Sequence, residues 1–116
     1  PILMQEGEPD GFVPRIPDGL LPSERAQGIF IKGRSCMLGG TQIMWAPKNL
    51  AKLIAHELGH YLGLYHSVEE SGQTDAIADT GADNLMHFRP FSVATAGFTP
   101  GQLRVMRRHP VVRWDQ

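Results

Sequence analysis

Apolar positions recur with a helical period in one long run, PKNLAKLIAHELGHYLG, residues 47–63. Leu50, Leu53, Ile54, Leu58, Tyr61 and Leu62 stand three or four apart within it. Pro47 suits the first turn, because a proline there lacks only an N–H that has no helical partner. Gly63, just past the last periodic residue, suits a left-handed stop. A second run, TPGQLRVMRRH at 99–109, predicts another helix. Thr99 can cap it, Pro100 takes its first position, Gln102 completes a capping box and Pro110 ends it. Leu103 and Met106 are its core-facing positions.

Two shorter stretches, GIFIK (Gly28–Lys32) and TQIMW (Thr41–Trp45), are apolar and partly β-branched. They predict two strands joined by the Gly-rich connection GRSCMLGG. Residues 1–27 repeat a Pro-Asp-Gly turn signal, at Pro9–Gly11 and Pro17–Gly19, and predict an extended, loop-rich segment without helix. Residues 67–98 are polar and weakly periodic, hence mostly loop. The pattern predicts an α+β fold, with a small mixed sheet that includes residues 28–32 and 41–45 packed on the helix at 47–63.

Composition narrows the class. The 116 residues, 41% of them apolar, suit one domain over 1–116 with a single modest core. A net charge of −1 argues against a nucleic-acid partner, which calls for a basic face. No run is long and apolar enough to span a bilayer. Cys36 is the single cysteine, so these residues hold no disulfide pair. The first residue is Pro1 rather than Met, which suggests a processed or trimmed N-terminus.

The chemistry concentrates in HELGHYLGLYH, residues 56–66, which holds three of the five histidines. Residues four apart stack on one helix face, so His56 and His60 present two imidazoles to one point. Glu57 is one helical step away, where its carboxylate can reach a metal-bound water without being a ligand. His66 would point elsewhere if the helix continued. Gly63 lets the chain turn, because glycine takes positive φ without a Cβ clash, and His66 can return to the metal from outside the helix. Three neutral imidazoles on tetrahedral zinc leave a fourth position open, which marks a catalytic rather than a structural site. Five fixed positions at about one in twenty each, over about a hundred registers, arise by chance roughly 3 times in 100,000.

HExxHxxGxxH is the signature of the metzincin clan of zinc metalloproteases, and this chain resembles that clan. DNLMHF places Met86 twenty residues after His66, in a segment similar to the methionine-containing turn beneath the zinc. The order HELGHYLGLYHS, DAIADT, NLMHF and FTPGQLRVMRR is similar to that of pappalysin-type metzincins, over about residues 28–110. The resemblance implies His56, His60 and His66 as ligands of one catalytic zinc, Glu57 as general base and Met86 as the supporting methionine. It implies a secreted endopeptidase acting on peptides or proteins, with a small sheet, an active-site helix, a Met-turn and a C-terminal helix. The edge of the sheet, with Ile29 and Ile31, would bind extended substrate, and His87 and Phe88 would flank the cleft. Many members carry Tyr where this chain has Phe88. Only 46 residues precede the helix, fewer than in most metzincins. A minimal catalytic domain and a latent or inactive zinc-binding fragment of a larger protein both accommodate that length.

The remaining residues have plainer readings. Cys36 does not sit in a zinc-blocking motif and reads as structural. Asp75, Asp79 and Asp83 recur every four residues. They read as a solvated polar loop, with calcium, which relatives can carry nearby, as the alternative. Arg104, Arg107, Arg108 and His109 suit the negative end of a helix dipole.

Overall fold

The computed structural model describes residues 11–20, 27–31, 34–36, 42–44 and 46–112. The element order is β1 (Gly11–Phe12), β2 (Phe30–Ile31), β3 (Arg34–Cys36), β4 (Gln42–Met44), α1 (Pro47–Tyr61) and α2 (Pro100–Met106), with a short 3-10 turn at Pro90–Ser92.

The strands form two separate antiparallel ladders rather than one mixed sheet. β1 pairs with β2, Gly11 opposite Ile31 and Phe12 opposite Phe30, and the two phenyl rings stack at 5.1 Å. β3 pairs with β4, Arg34 opposite Met44. The expected strands at 28–32 and 41–45 exist in shortened form but do not pair with each other. Chain length explains this. Five residues separate β3 from β4, within the usual span of a hairpin, whereas joining 28–32 to 41–45 takes an eight-residue connection. Part of the Gly-rich connection is therefore strand. The partner of β2 comes from the segment read as loop, starting at the glycine of its first Pro-Asp-Gly. Residues 13–20 and 27 are irregular, as expected of this segment, whereas residues 1–10 and 21–26 lie outside the described residues, as does the side chain of Cys36.

Helix α1 starts at Pro47 and stops as a Schellman motif. Gly63, at φ 114°, donates its N–H to His60 O, and Leu64 donates to Gly59 O. Its buried face carries Leu53, His56, Glu57, Gly59 and His60. Ile54 and Leu58, two of the periodic apolar residues, remain 44% and 38% exposed. Polar side chains thus occupy the inner face of this helix, the reverse of ordinary amphipathic burial.

Helix α2 carries the expected capping box, with Thr99 Oγ1 accepting from Gln102 N–H and Gln102 Oε1 accepting from Thr99 N–H. It ends at Met106 instead of running to 109. A helix continued through Pro110 would drive the proline ring into the Met106 carbonyl, which accepts instead from His109 N–H in a tighter turn. Leu62, Leu64, Met86 and Met106 form the core, with Ile77, Phe98 and Leu103 packed against it. His109 is not an exposed cation at the helix end. It is buried, and its Nε2 bonds the carbonyl of Asp18. Asp18 in turn donates its N–H to Tyr61 O and accepts from Gly19 and Gly28 N–H through its carboxylate. One buried residue of the N-terminal segment thereby fastens the ends of both helices.

Candidate metal centre

His56 and His60 project from successive turns of α1, and the turn at Gly63 brings His66 back to them. The ring centroids lie 4.8 Å apart for His56–His60 and His60–His66, and 5.5 Å apart for His56–His66. One ligand atom from each lies within 4.8 Å of the others. Among the described residues this is the only group of three or more His, Cys, Asp or Glu so close together.

The outer nitrogen of each ring is already engaged. His56 Nδ1 donates to Leu85 O at 2.6 Å and His60 Nδ1 to Leu64 O at 2.7 Å. His66 Nδ1 lies 2.9 Å from Glu69 Oε1. Each Nε2 is left for the shared point. Burial pushes His56 and His60 down to about 4, outweighing the carbonyl bonds that favour the charged form. Both rings are neutral at physiological pH, the state in which imidazole donates a lone pair to a metal.

Glu57 is 4% exposed, and its Oε2 has no hydrogen-bond partner among the described residues. Burial pushes its carboxyl up to about 7. The triad and Glu57 open onto a cleft of about 890 Å³. Its floor is α1, through Leu53, His56, Glu57 and His60. One wall is Gly11, Phe12, Val13 and Ile16, the other is Phe88 to Ser92, and Tyr65, His66 and Glu69 close one end. Gly11 packs so tightly that a Cβ there would meet Glu57 Cγ at 3.2 Å.

Met86 is fully buried against α1, where a Cβ on Gly59 would stand 2.5 Å from its Sδ. Its segment is wired to both parts of the triad. Leu85 O holds His56, and Met86 O accepts from Ser67 N–H, next to His66, at 2.9 Å. Asn84 holds this turn in place. Its Oδ1 accepts from Met86 N–H at 2.9 Å and from Gln102 Nε2 at 2.8 Å, and its Nδ2 donates to Gln102 Oε1.

Phe88 lines the cleft. His87, Ile29 and Ile31 are not among its lining residues. His87 stacks on the Phe88 ring and accepts from Arg89 N–H. Ile31 lies on β2, and it is the partner strand β1 that reaches the cleft. Asp75, Asp79 and Asp83 turn to separate partners. Asp75 accepts from Thr80, Asp79 from Thr99 and Gly101 at the start of α2, and Asp83 from Thr95.

Two curated fungal proteins, from Arthroderma benhamiae and Trichophyton verrucosum, are each 29% identical to this chain over 124 aligned positions, covering 78% of it. Both are named extracellular metalloprotease. The alignment covers 46% of each, so the chain spans about half the length of the curated relatives it matches. No protein-family model and no solved structure matches the chain. These relatives and the histidine cluster support a metalloprotease relationship. No helix among the described residues is long and apolar enough to cross a membrane.

Sequence reasoning passed over four contributors. Gly59 had a signal, a residue without a side chain between two inward-facing histidines. Glu69 had a weaker one, a carboxylate three residues after His66. The Asn84–Gln102 pair and the Asp18–His109 contact join distant positions and leave no local pattern.

Proposed function

We propose that the chain is the zinc-binding, catalytic part of a secreted metalloendopeptidase of the metzincin type, most like the pappalysin-type families. The observation that carries this reading is the convergence of three imidazoles, two of them buried and neutral, with a buried carboxylate, one of whose oxygens has no hydrogen-bond partner among the described residues, on one largely apolar cleft. The donor set fits zinc. Three neutral nitrogens suit it, and the second-ring hydrogen bonds that orient such ligands are in place.

His56, His60 and His66 would hold the ion, and Met86 would pack beneath them. Zinc, when bound, supplies a Lewis acid that polarises a carbonyl and acidifies water. Glu57 takes a proton from water in the cleft and passes it to the leaving amine nitrogen. Burial raises its affinity for that proton relative to a solvated carboxyl. An extended peptide or protein segment lies along β1, against the apolar walls at Phe12, Val13, Phe88 and Phe91.

Metal analysis beside a peptide-library cleavage assay tests the reading. The expected result is one zinc per chain, with cleavage abolished by 1,10-phenanthroline and restored by added zinc. Glu57→Ala should retain zinc and lose about 10²–10⁴-fold in turnover. Full activity in rigorously metal-free protein refutes it. Zinc binding without cleavage would favour a latent or inactive zinc-binding fragment.

A further inference from the structure

The third histidine is anchored differently from the other two. His56 and His60 engage main-chain carbonyls through Nδ1, whereas His66 engages a side chain, Glu69 Oε1 at 2.9 Å. We propose that Glu69 is a positioning residue for the metal, orienting the His66 ring and strengthening its Nε2 as a donor. The inference rests on the reading of His56, His60 and His66 as metal ligands.

The geometry gives Glu69 a task that the fold leaves open. His66 lies beyond the end of α1, so no helical turn fixes its ring, and its side chain is 28% exposed. Glu69, in contrast, has a fixed main chain. Its N–H donates to Gln73 O and its carbonyl accepts from Gly72 N–H, both at 2.8 Å. Gly72 closes this reversal at φ 90°, and Val68 pairs with Thr74 across it. The carboxylate is therefore carried on a tight turn that starts three residues after its histidine. In a neutral ring bonded to a carboxylate through Nδ1, that nitrogen carries the proton, which leaves the Nε2 lone pair facing the other two rings. A carboxylate partner also adds negative charge, which makes imidazole a stronger donor than a carbonyl partner does.

The test compares the wild-type protein with Glu69→Gln and Glu69→Ala. Zinc affinity is measured by competition with a chelator of known strength, ligand geometry by the visible spectrum of the cobalt-loaded protein, and folding by the unfolding midpoint in EDTA. Glu69→Ala is expected to weaken zinc binding about 10–100-fold and to alter the cobalt spectrum. Glu69→Gln keeps an acceptor oxygen and loses the charge, so it should recover part of the affinity. The midpoint in EDTA should be the same for all three, because the Glu69 side chain is 45% exposed. The proposal is overturned if Glu69→Ala binds zinc within about twofold of wild type, or if its loss is matched by an equal loss of metal-free stability. It is equally overturned if the variants bind zinc normally and only KM for peptide rises, which would make Glu69 a substrate contact. Failure of the wild-type protein to bind zinc would instead remove the reading of the site itself.

Discussion

Replacing Gly59 with alanine sets helix propensity against packing, and the two predict opposite signs. Alanine favours a helix interior over glycine by about 1 kcal/mol. Against that, the new Cβ would stand 2.5 Å from Met86 Sδ, 3.1 Å from Met86 Cε and 3.3 Å from Leu64 Cδ1. Comfortable carbon contacts begin near 3.5 Å, so the thioether must move by roughly 1 Å. A methionine usually yields cheaply, but Met86 is fully buried and its main chain is tied to Asn84 and Ser67. Overpacking of this kind costs about 1–3 kcal/mol. After the propensity gain, the net effect is a destabilisation of about 1 kcal/mol, or a fall in Tm of about 4 °C for a chain of this size. Thermal unfolding in EDTA reads it without interference from metal. Gly81→Ala is the control, since nothing lies within 4 Å of a Cβ there. In a Met86→Ala background the cost of Gly59→Ala should shrink, because the clashing atoms are gone. A higher Tm for Gly59→Ala than for wild type would refute the packing argument.

Stability of the metal-free protein should rise with pH between 4.5 and 6.5. In that window the unfolded chain binds protons at His56 and His60 that the fold refuses, while the fold retains one at Glu57. The net is about one proton, so the slope is at most about 1.4 kcal/mol per pH unit, and it fades to nearly zero between 6.5 and about 7, where the partly protonated histidines of the unfolded chain and Glu57 of the fold offset each other. Denaturant titrations in EDTA across this range check the sign, and stability falling from 4.5 to 6.5 would contradict it. Asn84→Ala should destabilise by about 2–4 kcal/mol, since it strands Gln102 and the Met86 N–H in a buried setting. Equilibrium unfolding measures this, and a loss under about 0.5 kcal/mol would show that the network is dispensable. Phe88→Tyr should leave kcat unchanged or raise it by at most about tenfold, equivalent to roughly 1.4 kcal/mol. A lower kcat at full zinc loading would show that the added hydroxyl obstructs the cleft.

What could be read from the sequence was local. Both helices, the cap at Thr99 and the stop at Gly63 depend on residues within a few positions of one another, and the structure places them at or near the expected positions. The three histidines fall in the same category, since one helical period and one glycine bring them together. The strands were harder, because two- and three-residue ladders carry almost no periodicity and their partners are set by chain closure. The exposure of Ile54 and Leu58 could not be read either, since the period shows which residues share a face but not which face turns inward. The contact between Asp18 and His109 spans 91 positions and is a product of tertiary packing alone.

The carbonyls that hold His56 and His60 belong to the main chain, at Leu85 and Leu64. No exchange of one side chain for another can delete them, so mutation can reach them only by displacing the backbone. The partner of His66 is a side chain, and a single-nucleotide change in a glutamate codon can replace it with glutamine, lysine, alanine or glycine. Heritable variation in this centre therefore has an uneven landscape. Two of the three histidine anchors are insulated from small mutational steps, and the third can be adjusted one substitution at a time. Among natural variants, graded differences in metal affinity should track position 69, whereas abrupt losses should track the turns at Gly63 and Asn84.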